Sequence, residues 1–191
     1  MEAQYHQQLC RQTLGDHFSP QALEAVIAAN IRQDGLFTGL VGHPEFHFDD
    51  NHIDESWTYA AAQRQIVLDT LTNGEPTLLA WQAFGRQLHT VQDFYAHTSY
   101  VHMWAAGHTN LPPVEEFDGL DQTLIEHPDL FTAKVYYPIE ALTYYKIFRP
   151  LMRRILPADS HARMNLDSPV MGELFFYAME GARQRTQFEL S

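Results

Sequence analysis

Gly85-Arg86-Gln87-Leu88-His89-Thr90-Val91-Gln92-Asp93-Phe94-Tyr95-Ala96-His97 is the run that decides how the chain reads. It has no proline and good helix formers in most positions, so it reads as helix. His89, Asp93 and His97 fall at i, i+4 and i+8 and share one face, a turn apart. Leu88, Val91, Phe94 and Tyr95 make most of the remaining circumference apolar, which puts the polar stripe in the interior. Buried polar groups need partners. A divalent ion such as zinc satisfies two imidazoles and a carboxylate at once. The plainer reading, an exposed His–Asp pair worth about 0.3 kcal/mol, does not account for the apolar surroundings.

Working outward, Asn73-Gly74-Glu75-Pro76 makes a turn before this helix, and Gly107 and Pro112-Pro113 end it. The expected span is Thr77 to about Ala105. A helix from Ser56 to about Leu71 precedes the turn. Before that, residues 35–55 form a loop rich in Gly, His, Asp and Pro, longer than compact domains usually carry without a function. Ser19-Pro20 signals a helix start, serine as cap and proline in the first turn, with Ala22, Leu23, Val26, Ile27 and Ile31 facing inward. Residues 1–16 are polar and Gln-rich, a short helix or an arm. Toward the C-terminus a helix is expected from Ile139 to Leu156, broken near Pro150. A closing helix runs from Pro169 to about Phe188, with Leu174, Phe175, Ala178 and Met179 inward. No alternating strand pattern and no repeat is visible. The expectation is one all-α domain over residues 1–191, a helical bundle with a long central ligand-bearing helix.

The chain has 191 residues, 45% hydrophobic and 13% aromatic, which suits one well-filled core. No apolar run reaches the ~18 residues a membrane helix needs. The first residues lack the basic and apolar regions of a secretory signal, so a cytoplasmic location, or export by another route, is expected. Cys10 alone excludes an internal disulfide and a CxxC zinc site. With 24 acidic and 12 basic residues the formal charge is −12, which repels a polyanion and counts against nucleic acid as a partner. Solubility explains an acidic excess, and so do carboxylates gathered around cations. The 11 histidines, several close to Asp or Glu, are the compositional anomaly.

Taken singly, His17, His47 and Asp34 have ordinary readings as backbone-bonded or turn residues, and His43, His52, Asp49, Asp50 and Asp54 as solvated loop residues. Tyr95, Tyr100, Tyr136, Tyr137, Tyr144 and Tyr145 read as core and rim aromatics. The segment from Gly85 to Tyr100, however, resembles the core motif of the Het-C heterokaryon-incompatibility family, which is similar to zinc-dependent phospholipases C and to single-strand-specific zinc nucleases. Gly15-Asp16-His17, Asp34, Phe46-His47-Phe48-Asp49 and the stretch from His161 through Asn165-Leu166-Asp167-Ser168-Pro169 follow in the order of those families. The resemblance implies an all-α fold with two or three Zn2+ ions. It implies that Asp34, His47, His89 and Asp93 hold one ion, with Asp93 bridging to a second held by His17. In the phospholipases a free N-terminal amine completes that second site. Here sixteen residues precede His17, so His6 substitutes or the site stays empty. His97 and His108 would begin a third site, completed by His102, Glu115, Glu116 or His161.

The activity so implied is hydrolysis of a phosphodiester by metal-activated water, with Asp34 orienting or deprotonating that water. A phospholipid headgroup is the expected substrate. A non-catalytic metal-binding module and a single-strand nuclease are the alternatives, and the oligomeric state is open.

Overall fold

Helix α4, Thr77–His97, crosses the middle of the protein with 15 of its 21 residues buried, so it is a core helix on nearly all faces. The computed structural model describes residues 1–35, 38–39, 42–136, 151 and 154–191. Around α4 pack α2 (Pro20–Ile31), α3 (Ile53–Thr72) and the C-terminal α8 (Leu174–Leu190). Helix α1 (Ala3–Leu14) closes against α2 and α8. Shorter helices α5 (Tyr100–Ala106), α6 (Gln122–Ile125) and α7 (His161–Met164) complete an all-α fold with no strand among the described residues. None of the described helices is long and apolar enough to cross a membrane.

Local chemistry explains the helix starts and the closest approach. Ser19 caps α2 by accepting from the Ala22 amide at 3.3 Å, with Pro20 in the first turn, as its residue types dictate. Gly85 lies against the Val26 carbonyl and the Ala29 methyl, where a side chain would have no room. That contact brings α2 and α4 together. The N-terminal segment is a helix, not an arm: His6, Leu9, Cys10, Thr13 and Leu14 form one buried face.

Two expectations need adjusting. The central helix does not continue to Ala105. It ends at His97, Thr98 is extended, and α5 begins at Tyr100. Thr98 pairs with Thr132, and the Ser99 amide donates to the Phe131 carbonyl at 2.8 Å. The backbone there bonds to a distant segment, so it cannot also continue the helical ladder. The closing helix starts five residues later than expected, because Pro169–Met171 forms a separate 3-10 turn before α8. Residues 137–150, which include the expected break at Pro150 and Tyr137, Tyr144 and Tyr145, lie outside the described residues. Tyr95 and Tyr100 are core aromatics whose hydroxyls donate to the Gly119 and Asp118 carbonyls at 2.6 and 2.8 Å.

Segment 131–135 binds three parts of the fold together. The Ala133 amide donates to the His97 carbonyl, the Asp50 amide to the Ala133 carbonyl, and the His161 amide to the Lys134 carbonyl. It therefore holds the end of α4, the loop after Phe46 and the start of α7 in one place.

Candidate metal centre

Three groups of His and Asp converge where these elements meet. His6, His89 and Asp93 form one, Asp34, His47 and His89 a second, and Asp49, His97 and His161 a third; in each the ligand atoms lie within 4.8 Å of one another. Asp93 stands at the centre. Its Oδ1 is 3.1 Å from His6 Nε2, and its Oδ2 is 3.0 Å from His47 Nδ1 and 3.1 Å from His89 Nε2. The two oxygens thus face different donor sets. Asp167, at the rim, brings its Oδ1 to 3.0 Å from His97 Nε2.

The helical donors are oriented by amides and carbonyls behind them. His6 Nδ1 lies 2.7 Å from Gln92 Oε1, which fixes Nδ1 as the donor and leaves Nε2 a lone pair facing Asp93. His89 Nδ1 faces Asn30 Oδ1 at 3.4 Å, and His97 Nδ1 donates to the His47 carbonyl at 2.8 Å. Gln92 is itself held by Asn30 and Thr186, at 3.1 and 3.0 Å. Such second partners set the tautomer and aim of a metal-binding imidazole.

His47 and Asp49 are presented differently. Phe48, Asp50 and Asn51 adopt left-handed backbone, with φ of 54°, 53° and 61°. For a buried phenylalanine this conformation is costly, and it persists only because its surroundings hold it. Phe48 is locked edge-on between Trp57 and Phe94. Asn51 and Thr132 bond reciprocally, Asn51 N donating to Thr132 Oγ1 at 2.6 Å and Thr132 N to Asn51 Oδ1 at 3.0 Å. The kinked backbone turns His47 and Asp49 toward α4 while Phe48 enters the core.

The electrostatics favour positive charge. The Met1 ammonium is buried among Asp93 Oδ1 at 2.6 Å, His97 Nε2 at 2.9 Å and Asp167 Oδ1 at 3.0 Å. Burial opposes its charge, but Asp167, Asp93 and Asp34 outweigh that and raise its pKa to about 11. Burial likewise penalises the Asp93 carboxylate, yet the Met1 ammonium and the surrounding histidines hold it ionised, well below the usual range. Burial depresses His89 to about 4, against the pull of Asp93, so it is neutral and able to ligate near pH 7. Four buried ligand atoms have no hydrogen-bond partner: His6 Nε2, His47 Nε2, Asp34 Oδ2 and Asp49 Oδ1. Unpaired buried acceptors are costly. A divalent ion satisfies several of them together, so this donor set fits one.

Of the residues expected from the sequence, Asp34, His47, His89, Asp93 and His97 come together. His17 does not: it is exposed after the end of α1, and His6, three turns earlier on the buried face, occupies the place beside Asp93. His108 is also exposed, its Nδ1 bonded to the Trp104 carbonyl at 2.9 Å. His102 bonds the Met164 carbonyl at 3.0 Å, and Glu115 and Glu116 are exposed on a 3-10 turn. The third group takes His161, with its ring 5.1 Å from that of His97, and Asp49, which alone reads as a solvated loop residue.

Residues 2–113, more than half of the chain, match the family model of the VWA7 N-terminal domain. The chain belongs to that family. This corrects the Het-C resemblance of the sequence from Gly85 to Tyr100, because the matching family is a different one. A short helical run of His and Asp at one-turn spacing is a demand of ligand geometry, so it carries little information about descent. The chain matches no curated protein and no solved structure. In this VWA7 N-terminal domain the matched span runs from α1 past α5 and includes every residue of the three His and Asp groups except His161.

Proposed function

We propose that the domain holds two or three divalent ions of the zinc type around Asp93 and uses them to hydrolyse a phosphodiester. The observation that carries the reading is the set of four buried ligand atoms without a hydrogen-bond partner, His6 Nε2, His47 Nε2, Asp34 Oδ2 and Asp49 Oδ1, each on a residue of one of the three His and Asp groups. Asp93 offers Oδ1 toward His6 and Oδ2 toward His47 and His89, the arrangement a bridging carboxylate needs. Ions so held supply Lewis acidity, lower the pKa of bound water to ~7 and neutralise charge on phosphoryl oxygens.

The chain's own residues do the rest. Asp34, with 28% of its side chain exposed, stands at the solvent edge of the donor cluster, placed to orient or deprotonate a water. Gln92, Asn30 and the His47 carbonyl keep the imidazole lone pairs aimed inward. Asp167 is also part-exposed and contacts His97 Nε2. A net charge of −12 disfavours a long polyanion over a Debye length, ~8 Å at physiological salt, and has little effect on a zwitterion. The favoured substrate is therefore a small or zwitterionic phosphodiester such as a phosphatidylcholine headgroup.

Metal content of untagged protein by mass spectrometry is the first test, with at least two divalent ions per chain expected. Metal-free protein showing no thermal shift on added zinc would end the reading. Loaded protein should cleave a short-chain phosphatidylcholine faster than single-stranded DNA. Faster DNA cleavage, falling steeply with salt, would make it a nuclease. Metal without turnover of either would leave a non-catalytic metal-binding module.

A further inference from the structure

A cleft of about 330 Å³ opens between α2 and the N-terminal half of α4. Arg32 and Arg86 line it together with Ala28, Leu78, Gln33 and Gln82. Its volume lies at the lower end of the ~300–1,000 Å³ typical of small-ligand sites.

Several of the basic side chains described are neutralised in place. Arg11, Arg64, Lys134, Arg183 and Arg185 each sit on a carboxylate, at 2.6 to 3.2 Å. Arg32 and Arg86 have no carboxylate partner among the described residues, although the chain carries twice as many acidic as basic residues. Arg86 is also pre-set: its Nε donates to Gln63 Oε1 at 2.7 Å, so its remaining donors are held in one orientation. Gln33, buried beneath, is fully engaged, accepting from the Tyr59 hydroxyl at 2.7 Å and donating to the Arg86 carbonyl at 3.2 Å. The floor is therefore rigid and satisfied, while the guanidinium faces are not. Ala25, Ala28 and Leu78 add an apolar wall, and Leu78 is half exposed at the mouth.

We propose that this cleft is a binding site for a phosphate monoester carrying a short aliphatic group, with Arg32 and Arg86 taking the phosphate. Two guanidinium forks match the charge and the oxygen geometry of a phosphate dianion better than those of a single carboxylate. The aliphatic part lies against Ala28 and Leu78. The cleft is distinct from the metal centre and does not depend on it, although the two are neighbours along the chain: Arg32 and Gln33 precede Asp34, and Arg86 lies one turn before His89.

The test titrates methyl-labelled protein with hexyl phosphate, inorganic phosphate and hexanol, following the Ala28 and Leu78 methyl resonances. Hexyl phosphate should saturate at millimolar concentration or below, inorganic phosphate should bind about tenfold more weakly, and hexanol should give no saturable shift. Arg32→Gln, at an exposed position with no partner to lose, should weaken hexyl phosphate about tenfold and leave metal content unchanged. Arg86→Lys, which keeps the charge but loses the fork, should weaken it by a smaller factor. Absence of a saturable shift, equal binding of hexanol, or wild-type affinity in Arg32→Gln would each overturn the proposal. Binding here by protein that takes up no metal would uphold this site while the metal reading falls, and the converse pattern would do the reverse.

Discussion

The donor cluster has two halves built by different means. On one side His6, His89 and Asp93 project from helices, and amide side chains of α2 and α4 orient the rings. On the other, His47, Asp49 and Asp167 come from irregular backbone and His161 from the first residue of the short α7, held by left-handed residues and by the 131–135 segment. A helix places ligands by its period and needs only a rear partner to aim them. A loop has no period, so each ligand's direction must be enforced by a separate set of hydrogen bonds. Helix-borne donors should therefore survive small perturbations of the backbone, and loop-borne donors should not.

Asp93 belongs to both halves, and its removal has the largest expected effect. Asp93→Asn keeps the shape but loses a charge that faces the Met1 ammonium, His6, His47 and His89. Breaking one partner out of a buried charged network typically costs about 3–5 kcal/mol. Metal content should fall at every site, and further than in Asp34→Asn, which touches one site at the rim. Equal losses of a single ion from both variants would show that the halves are not joined through Asp93.

Next comes a pair of substitutions aimed at one half each. Gln92→Leu removes the acceptor that fixes His6, and loss of such a partner typically lowers metal affinity about 10–100-fold. Thr132→Val removes the hydroxyl that accepts from the Asn51 amide, at a cost of about 1 kcal/mol for the lost hydrogen bond. Gln92→Leu should weaken the site with His6 and spare the one with Asp49, and Thr132→Val should do the opposite. Anomalous scattering from crystals grown at limiting zinc reads the two occupancies separately. Parallel losses at both sites would abolish the distinction between the halves.

How far the sequence discloses these halves follows the same division. His89, Asp93 and His97 are legible because helical spacing converts sequence position into a shared face. His6 could have been found by the same rule: with Leu9, Cys10, Thr13 and Leu14 it lies at i, i+3, i+4, i+7 and i+8. The Gln-rich composition around it masks that pattern, and the Het-C resemblance pointed to His17 instead. Asp49 and Asp167 carry no comparable signal, since nothing local distinguishes an aspartate turned inward from a solvated one. The end of α4 at His97 was equally hidden, because what terminates the helix is pairing with residues 131 and 132. The helices themselves were legible because their apolar periods, caps and Gly/Pro turns agree with one another.

A smaller effect is expected from pH in metal-free protein, where two histidines of α4 respond in opposite senses. His89 falls from 6.5 in the unfolded chain to about 4 when folded, so below pH 6.5 the unfolded state binds the extra proton first. Its contribution to stability is whole above 6.5 and is lost as pH falls toward 4, by about 3 kcal/mol at most. His97 faces the other way: burial and the Met1 ammonium oppose its charge, but Asp93, Asp49 and Asp167 raise it to about 10. Its contribution is present below 6.5 and is lost as pH rises through 10. His89→Gln should flatten the acid side of the stability profile of chelator-treated protein. An unchanged acid limb in urea titrations would mean that His89 is not buried in a neutral form.

The smallest effect is expected at the two histidines whose sequence positions suggested ligands and whose surroundings do not. His17 lies exposed beyond α1, and His108 is exposed with its ring on the Trp104 carbonyl. Substitutions at exposed positions away from buried networks usually change stability by no more than about 0.5 kcal/mol. His17→Ala and His108→Ala should therefore melt within a degree or two of the parent and retain its full metal content. His6→Ala should lose metal from the site beside Asp93, since His6 Nε2 is buried there with no hydrogen-bond partner. The comparison is decisive because all three changes remove the same imidazole and differ only in whether its lone pair faces the cluster. If His17→Ala released metal and His6→Ala did not, α1 would have to pack in another register, and the helical half of the centre would need rebuilding around His17.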